Sequence, residues 1–312
     1  MNTGKRRTAL SRWFGAATAV LALTASGCSG GSGPDSGGSG GGSGSKIITM
    51  GMIPGWTDGL STTYLLENIL RSKGYTVKIK KLTDNDPMYA ALANGDVDML
   101  SSAWPERTQK TYMDKFGAKI EDLGKYYADA GLFLAAPTYS DIKSIADLPS
   151  HARELDGKVI GIEPGAGLTK TTKDDVFPAY GLDAHFELVV SSTTAMLTAL
   201  RKATGAKQPI VATLWKPFWA NQAFPVRPLD DPKGAFGQPE SLHSLARGGF
   251  AKDFPDVANM IKNFKLDDAQ YGSLEDTVVN KFGEGKEAEA AQAWLQQNPD
   301  YAPALAKYLT AG

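Results

Sequence analysis

Apolar residues in this chain fall into two cycles of short hydrophobic runs and amphipathic stretches, followed by a helical tail. The first cycle opens with the buried-strand pattern of residues 46–53 (KIITMGMI). A helical period over 60–73 follows, closed by Gly74. Residues 75–82 alternate like a strand, 87–94 predict a short helix stopped by Gly95, and 97–101 predict a third strand. A helix over 107–116 and an apolar strand over 131–136 complete the cycle. The second cycle begins near Ser144. It predicts strands at 158–163, 186–190 and 209–214, with helices from Pro164 to about Tyr180 and over 194–202. From Asp256 onward the pattern is mostly helical, through Met260, Val278, Trp294 and Leu305. Strands alternating with helices predict an α/β chain with largely parallel sheets, in two lobes joined by extended crossings.

Four tryptophans stand out against this pattern: Trp56, Trp104, Trp215 and Trp219 each fall at the end of a predicted strand or in the loop beyond it. In open α/β sheets, ligands bind beyond the carboxyl ends of strands. Trp56 and Trp104 belong to the first lobe and Trp215 to the second, so one ligand touching all three would hold the lobes closed. An aromatic box suits an organic cation. Ring faces are negative, and a quaternary ammonium spreads its charge over methyl groups that need no hydrogen bonds. Phe133 is a candidate fourth wall. Trp219 either faces the cleft or packs on Trp215. Trp294, at helical spacing with Ala291 and Leu295, belongs to the core.

The polar candidates are fewer. Gly165, Ala166 and Gly167 lie between a predicted strand and helix, where backbone N–H groups and the helix dipole can hold a carboxylate. The alternative is a plain tight turn. Asp58, two residues after Trp56, either meets the ligand or caps the helix starting near Leu60. Neither a dinucleotide fingerprint nor a Walker-type sequence occurs, and His151, His185 and His243 lack metal-ligand spacing. No metal, cofactor or catalytic set is expected. Asp58 and Glu163 are the only residues offered as a general base if the scaffold were an enzyme.

Composition adds the setting. Lys5, Arg6, Arg7 and Arg12 precede an apolar run over 14–24, too short to span a bilayer. Residues 1–27 therefore predict a secretory signal of the lipoprotein kind, with Cys28 as the lipidated first residue of the mature chain. Cys28 is the sole cysteine, which excludes an internal disulfide. Residues 28–45 are nearly all Gly and Ser, a flexible tether with a reach of roughly 20–25 Å. The remaining body is long enough for two lobes. The whole chain is 42% hydrophobic with a net charge of −1, so a core is ample, and no basic run of the kind that binds nucleic acid occurs outside the signal.

Several segments together resemble the substrate-binding proteins of glycine betaine/choline-type ABC importers. They are Gly55-Trp56-Thr57-Asp58, the run from Ala93 to Asp98 with Ala103-Trp104-Pro105, and the run from Gly161 to Gly167. The run from Ser191 to Leu197 follows, then Trp215-Lys216-Pro217-Phe218-Trp219, Asp231-Pro232-Lys233-Gly234 and the run from His243 to Arg247. The resemblance implies a two-lobed periplasmic-binding-protein fold (type II) with a ligand cleft between lobes. It places residues 46–137 plus about 236–312 in lobe 1 and about 138–235 in lobe 2. It implies a monomeric receptor, anchored outside the cytoplasm through an acylated Cys28, that hands its ligand to a membrane permease. It also implies that Trp56, Trp104 and Trp215 cage a quaternary ammonium group, and that Asp58 meets a ligand hydroxyl in choline binders. The chain departs from the pattern at Phe218, where many relatives carry histidine, at Ala166, where some choline binders carry asparagine, and between Trp104 and Pro105, where relatives often have one more residue. Betaine, choline and carnitine therefore stay open as ligands. So do an amino acid or ectoine-like zwitterion, and an enzyme or sensor on the same scaffold. Three or four desolvated cation–π contacts of ~2 kcal/mol each would support micromolar affinity, about −8 kcal/mol.

Overall fold

The computed structural model describes residues 46–310. The signal segment, Cys28 and the Gly/Ser tether lie outside the described residues. Strand β1 (Ile47–Met52) lies between two parallel neighbours, β2 (Thr76–Lys81) and β3 (Met99–Ala103). Its Ile48, Met50 and Met52 are all buried, as suits a strand with helices on both faces. Helix α1 (Thr57–Ser72) covers one face, placing Leu65, Leu66 and Ile69 in the main core with Ile48 and Met50. Helix α2 (Asn85–Asn94) covers the other, where Met88, Tyr89 and Leu92 meet Ile53, Val97 and Leu100. Asp84 caps α2 at its start, and Gly95, at φ 80°, closes it in the left-handed conformation that glycine tolerates best.

Beyond the short helix α3 (Lys110–Phe116), one long strand joins the two halves. Strand β4 (Ile120–Pro137) is 18 residues long. Its first part pairs with the returning strand β9 (Glu240–Arg247), and its second with β7 (Ala212–Lys216) and β8 (Val226–Pro228). Strands β5 (Lys158–Ile160) and β6 (Glu187–Val189) run parallel to each other, and β5 also runs parallel to β7. The resulting strand order is β2-β1-β3-β9-β4-β7-β5-β6, with β8 on β4. Helix α4 (Gly167–Thr171) runs through a π-helical turn into α5 (Phe177–Tyr180), and α6 (Thr193–Gly205) follows β6. The short α7 (Ala220–Ala223) follows β7. The tail forms α8 (Phe250–Asp253), α9 (Pro255–Lys262), α10 (Asp268–Glu275), α11 (Glu287–Gln297) and α12 (Tyr301–Ala306). Helices α10 and α11 pack on α1, and Trp294 stands in the core, its indole N–H donating to Ser273 Oγ at 2.8 Å.

Three expectations need correction. The sheet is mixed rather than largely parallel, because β9 inserts antiparallel between β3 and β4. The strand expected over 131–136 begins at Ile120; three register shifts, with Gly124 at φ 103° and Asp129 at φ 65°, break the pattern of its first half. The strand expected to end before Trp215 contains that residue.

His243 on β9 clamps this crossing. Nδ1 lies 2.8 Å from Asp122 Oδ2 on β4, and Nε2 lies 3.1 Å from Glu106 Oε1 in the loop after β3. Burial works against the proton on His243, but the bonds and charges of Asp122 and Glu106 outweigh it, so its pKa is raised. Burial likewise raises the two carboxyls, yet their bonds to His243, to the Ser241 backbone (Glu106) and to the Gly124 backbone (Asp122) leave both lowered. The His243 contribution is therefore fully present below about pH 6.5 and lost as pH rises through the raised folded value. The carboxylate contributions are lost as pH falls through their lowered values. Thermal melts of wild type and His243→Ala should thus differ most between about pH 5 and 6.5, with the gap shrinking on the alkaline side; a gap constant from pH 5 to 9 would contradict an ionic clamp.

Candidate functional site

Loops at strand ends converge on a cavity between the two sheet blocks. Its aromatic walls are Trp56, Trp104 and Trp215. Thr108, Gln109, Leu132, Ile162, Ala166, Gly167, Leu168 and Asp58 complete the lining. The space open to the centre of a water-sized sphere is ≈ 40 Å³, several times the ~10–15 Å³ that one water needs. Among the described residues, Asp58 is the only ionisable side chain in the lining.

Each wall is fixed differently. Trp56 precedes α1, and its indole N–H donates to Glu163 Oε2 of the second block at 3.0 Å. Trp104 follows β3; its indole N–H reaches Asp58 Oδ2 at 3.3 Å and its backbone N–H donates to Gln109 Oε1 at 2.8 Å. Trp215 is 4% exposed and has Phe218 stacked behind it, with ring centroids 3.8 Å apart and planes 14° apart.

Asp58 sits in the first turn of α1, while the cap position belongs to Trp56, so it is not the helix cap. Its carboxylate is 5% exposed and also accepts from Ser102 Oγ at 2.9 Å. Burial raises its pKa, against the opposing bonds from Ser102 and Trp104. Behind it lies a second buried carboxyl. Glu275 accepts from Thr57 Oγ1 at 2.7 Å, and burial pushes its pKa up to about 8, assisted by the charge of Asp58 and opposed by the Thr57 bond. Tyr271 donates to the Asp58 carbonyl, and Tyr126 and Tyr271 share a hydrogen bond beneath it.

Some expected residues lie elsewhere. Ala166 and Gly167 line the cavity, but Gly165 does not. Its N–H donates to Asp84 Oδ2 at 2.8 Å, and its carbonyl accepts from Asn85 Nδ2 and Tyr112 OH at 3.0 and 3.1 Å. The Ala166 N–H donates to the Glu163 carbonyl. Two of the three amides offered for a carboxylate are thus occupied by the protein. Phe133 is half-buried outside the cavity, because alternation along β4 turns the neighbouring Leu132 inward instead. Trp219 is buried edge-on against Phe218 and near Phe224, and lines a separate groove with Glu275. It packs behind the ring that supports Trp215, not on Trp215 itself.

Sequence patterns missed Thr108, Gln109, Leu132, Ile162 and Leu168 as lining residues, and Phe218 as a support. Only Leu132 had a usable signal, the strict alternation with Phe133. Among the described residues no group of His, Cys, Asp and Glu has metal-binding geometry, and no helix is long and apolar enough to cross a membrane.

A two-lobed α/β body enclosing a small aromatic cavity at its strand ends is a solute receptor of the type II periplasmic-binding kind. Residues 46–297 match the substrate-binding domain of ABC-type glycine betaine transport systems, and the chain belongs to that family. It is similar to the glycine betaine/carnitine transport binding protein GbuC of Listeria monocytogenes, at 33% identity over 150 residues. That match covers 47% of this chain and spans about half (48%) of that relative's length. The crystal structure of the glycine/betaine/L-proline-binding protein ProX from Borrelia burgdorferi superimposes with a TM-score of 0.78 at 30% identity, covering 85% of this chain and 98% of that one. A choline-binding protein of an ABC transporter, in complex with choline, gives 0.73 at 26% identity, covering 84% and 97%. The family is one of transport receptors, not of enzymes.

Gly167 of the second block lies close against Thr108 of the first. A Cβ there would fall inside the envelope of the Thr108 carbonyl oxygen, a backbone atom with little room to yield. Gly167→Ala should therefore hold the lobes apart, giving a larger radius of gyration in small-angle X-ray scattering than wild type under identical conditions. An unchanged radius would show that this approach does not limit closure.

Proposed function

We infer that this chain is the extracytoplasmic receptor of an ABC importer and captures a compact quaternary ammonium compound between Trp56, Trp104 and Trp215. One observation carries the ligand class: three indole walls enclose a cavity in which Asp58 is the sole ionisable group among the described residues. Indole faces and a carboxylate both attract a cation, and no lining cation repels one. The lobes correspond to residues 46–137 with about 236–312 and to about 138–235. Receptors of such importers act outside the cytoplasm, and the export signal, Cys28 acylation and Gly/Ser tether suit a membrane-anchored form delivering ligand to its permease.

The polar end of the cavity favours a hydroxyl over a carboxylate. The Gly165 and Ala166 amides are occupied, and Asp58 would oppose a second anion. Choline-like cations therefore fit the lining better than betaine, although relatives are named for betaine and carnitine. Isothermal titration with choline, glycine betaine, carnitine and ectoine tests this. Micromolar binding confined to methylated ammonium compounds is expected, with choline the tightest. Trp104→Ala and Trp215→Ala should each weaken binding by up to about thirtyfold, since each removes a wall worth up to ~2 kcal/mol. Retained affinity in both would remove the cage.

The charge on Asp58 sets a pH dependence. A cationic ligand favours the ionised carboxyl, whereas burial raises its pKa. Choline affinity should therefore fall as pH drops through that raised value, approaching about tenfold per unit below it. Asp58→Asn should bind more weakly and lose this acid-side fall in affinity; an acid-side fall of equal size in both proteins would exclude Asp58 as the counter-charge.

A further inference from the structure

We propose that Glu163, which lines no part of the cavity, is a positioning residue that locks the Trp56 wall when the lobes meet and so sets how long a ligand is held. Trp56 is rooted in the first lobe, before α1, but its indole N–H is bound to a carboxylate of the second lobe. That carboxylate is itself anchored. Thr193, at the start of α6, donates to it twice at 2.9 Å, through its backbone N–H to Oε1 and its hydroxyl to Oε2. The Thr169 hydroxyl donates to the Glu163 carbonyl, fixing the backbone below. Gly55 eases the approach, since a Cβ there would stand 3.1 Å from Thr193 Cβ, closer than ordinary contact.

The second first-lobe wall is tied to the same segment. Gln109 accepts from the Trp104 backbone N–H and donates to Asn85 Oδ1 at 3.0 Å, and Asn85 Nδ2 donates to the Gly165 carbonyl at 3.0 Å. Glu163 and Gly165, two residues apart, thus hold both walls that the first lobe contributes. With the lobes apart neither tie can form, and Trp56 loses the partner that fixes its ring plane.

A purely structural role competes with this one. Glu163 accepts the Thr193 N–H at the start of α6 and would then serve only its own lobe. The two roles separate in a double-mutant cycle, which rests on the quaternary ammonium reading above. Choline and glycine betaine are titrated into wild type, Glu163→Ala, Trp56→Phe and the double variant, with dissociation rates from stopped-flow tryptophan fluorescence. Trp56→Phe keeps an aromatic wall and removes the N–H. Glu163→Ala is expected to speed dissociation tenfold or more in the wild-type background but less than threefold in the Trp56→Phe background. Equal effects in the two backgrounds would overturn the proposal and leave Glu163 as a cap for α6. Glu163→Gln, which keeps one acceptor oxygen, should fall between wild type and alanine and guards against a folding defect in the alanine variant. If wild type binds neither compound, the ligand reading fails. The tie is then judged by small-angle scattering: a larger radius of gyration for Glu163→Ala than for wild type supports it, and identical radii refute it.

Discussion

An aromatic box recognises a cation only while its rings keep their faces toward one point. An indole loose on its Cβ presents its edge as readily as its face, and the edge is the positive side of the quadrupole. Most of the polar structure around this cavity answers that constraint. Asp58 and Gln109 hold Trp104 at two places, Glu163 holds Trp56 from the opposite lobe, and Phe218 lies flat behind Trp215. The bonds from Glu163 and Asp58 go to ring nitrogens, Gln109 holds the Trp104 backbone, and Phe218 covers only the rear face of Trp215.

The same constraint accounts for the buried acids. A carboxylate without a cationic partner is costly in an apolar interior, and desolvation accordingly pushes Asp58 and Glu275 toward their neutral forms. Asp58 is retained where only neutral donors, Ser102 and Trp104, satisfy it. The lining thus offers a carboxylate with no cationic partner in the protein. Glu275, one layer deeper and bound by Thr57, is likewise pushed toward its neutral form by burial, with the charge of Asp58 adding to the effect.

Much of this was legible from the chain alone. Hydrophobic periodicity located the helices and strands of both α/β cycles because those elements are local. Tryptophan is conspicuous in a loop, so three of the four candidates were recognisable as walls. What periodicity could not reveal depends on non-local pairing. Strand β9 takes its place only by returning between β3 and β4, and its mixture of Leu, Ser, His and Ala carries no clean alternation. Gly165 belongs to a plausible anion-binding turn in sequence. Only the position of Asp84, 81 residues earlier, shows that its amide already has a partner. Trp219 follows Trp215 by four residues yet is separated from it by Phe218, an arrangement set by the turn after β7.

If closure stops where Gly167 meets Thr108, that contact works as a calliper. Any side chain at 167 would run into the Thr108 carbonyl oxygen, a backbone atom that cannot turn aside as a side chain does by changing rotamer. The jaw opening that remains at the stop is the space among the three indoles. A solute that fits lets the jaws reach the stop, and an oversized one props them ajar however well its methyl groups suit the rings. The outer shape of the receptor then reports the size of its cargo, and a transporter that accepts only the fully closed shape can reject a wrong solute without ever touching it.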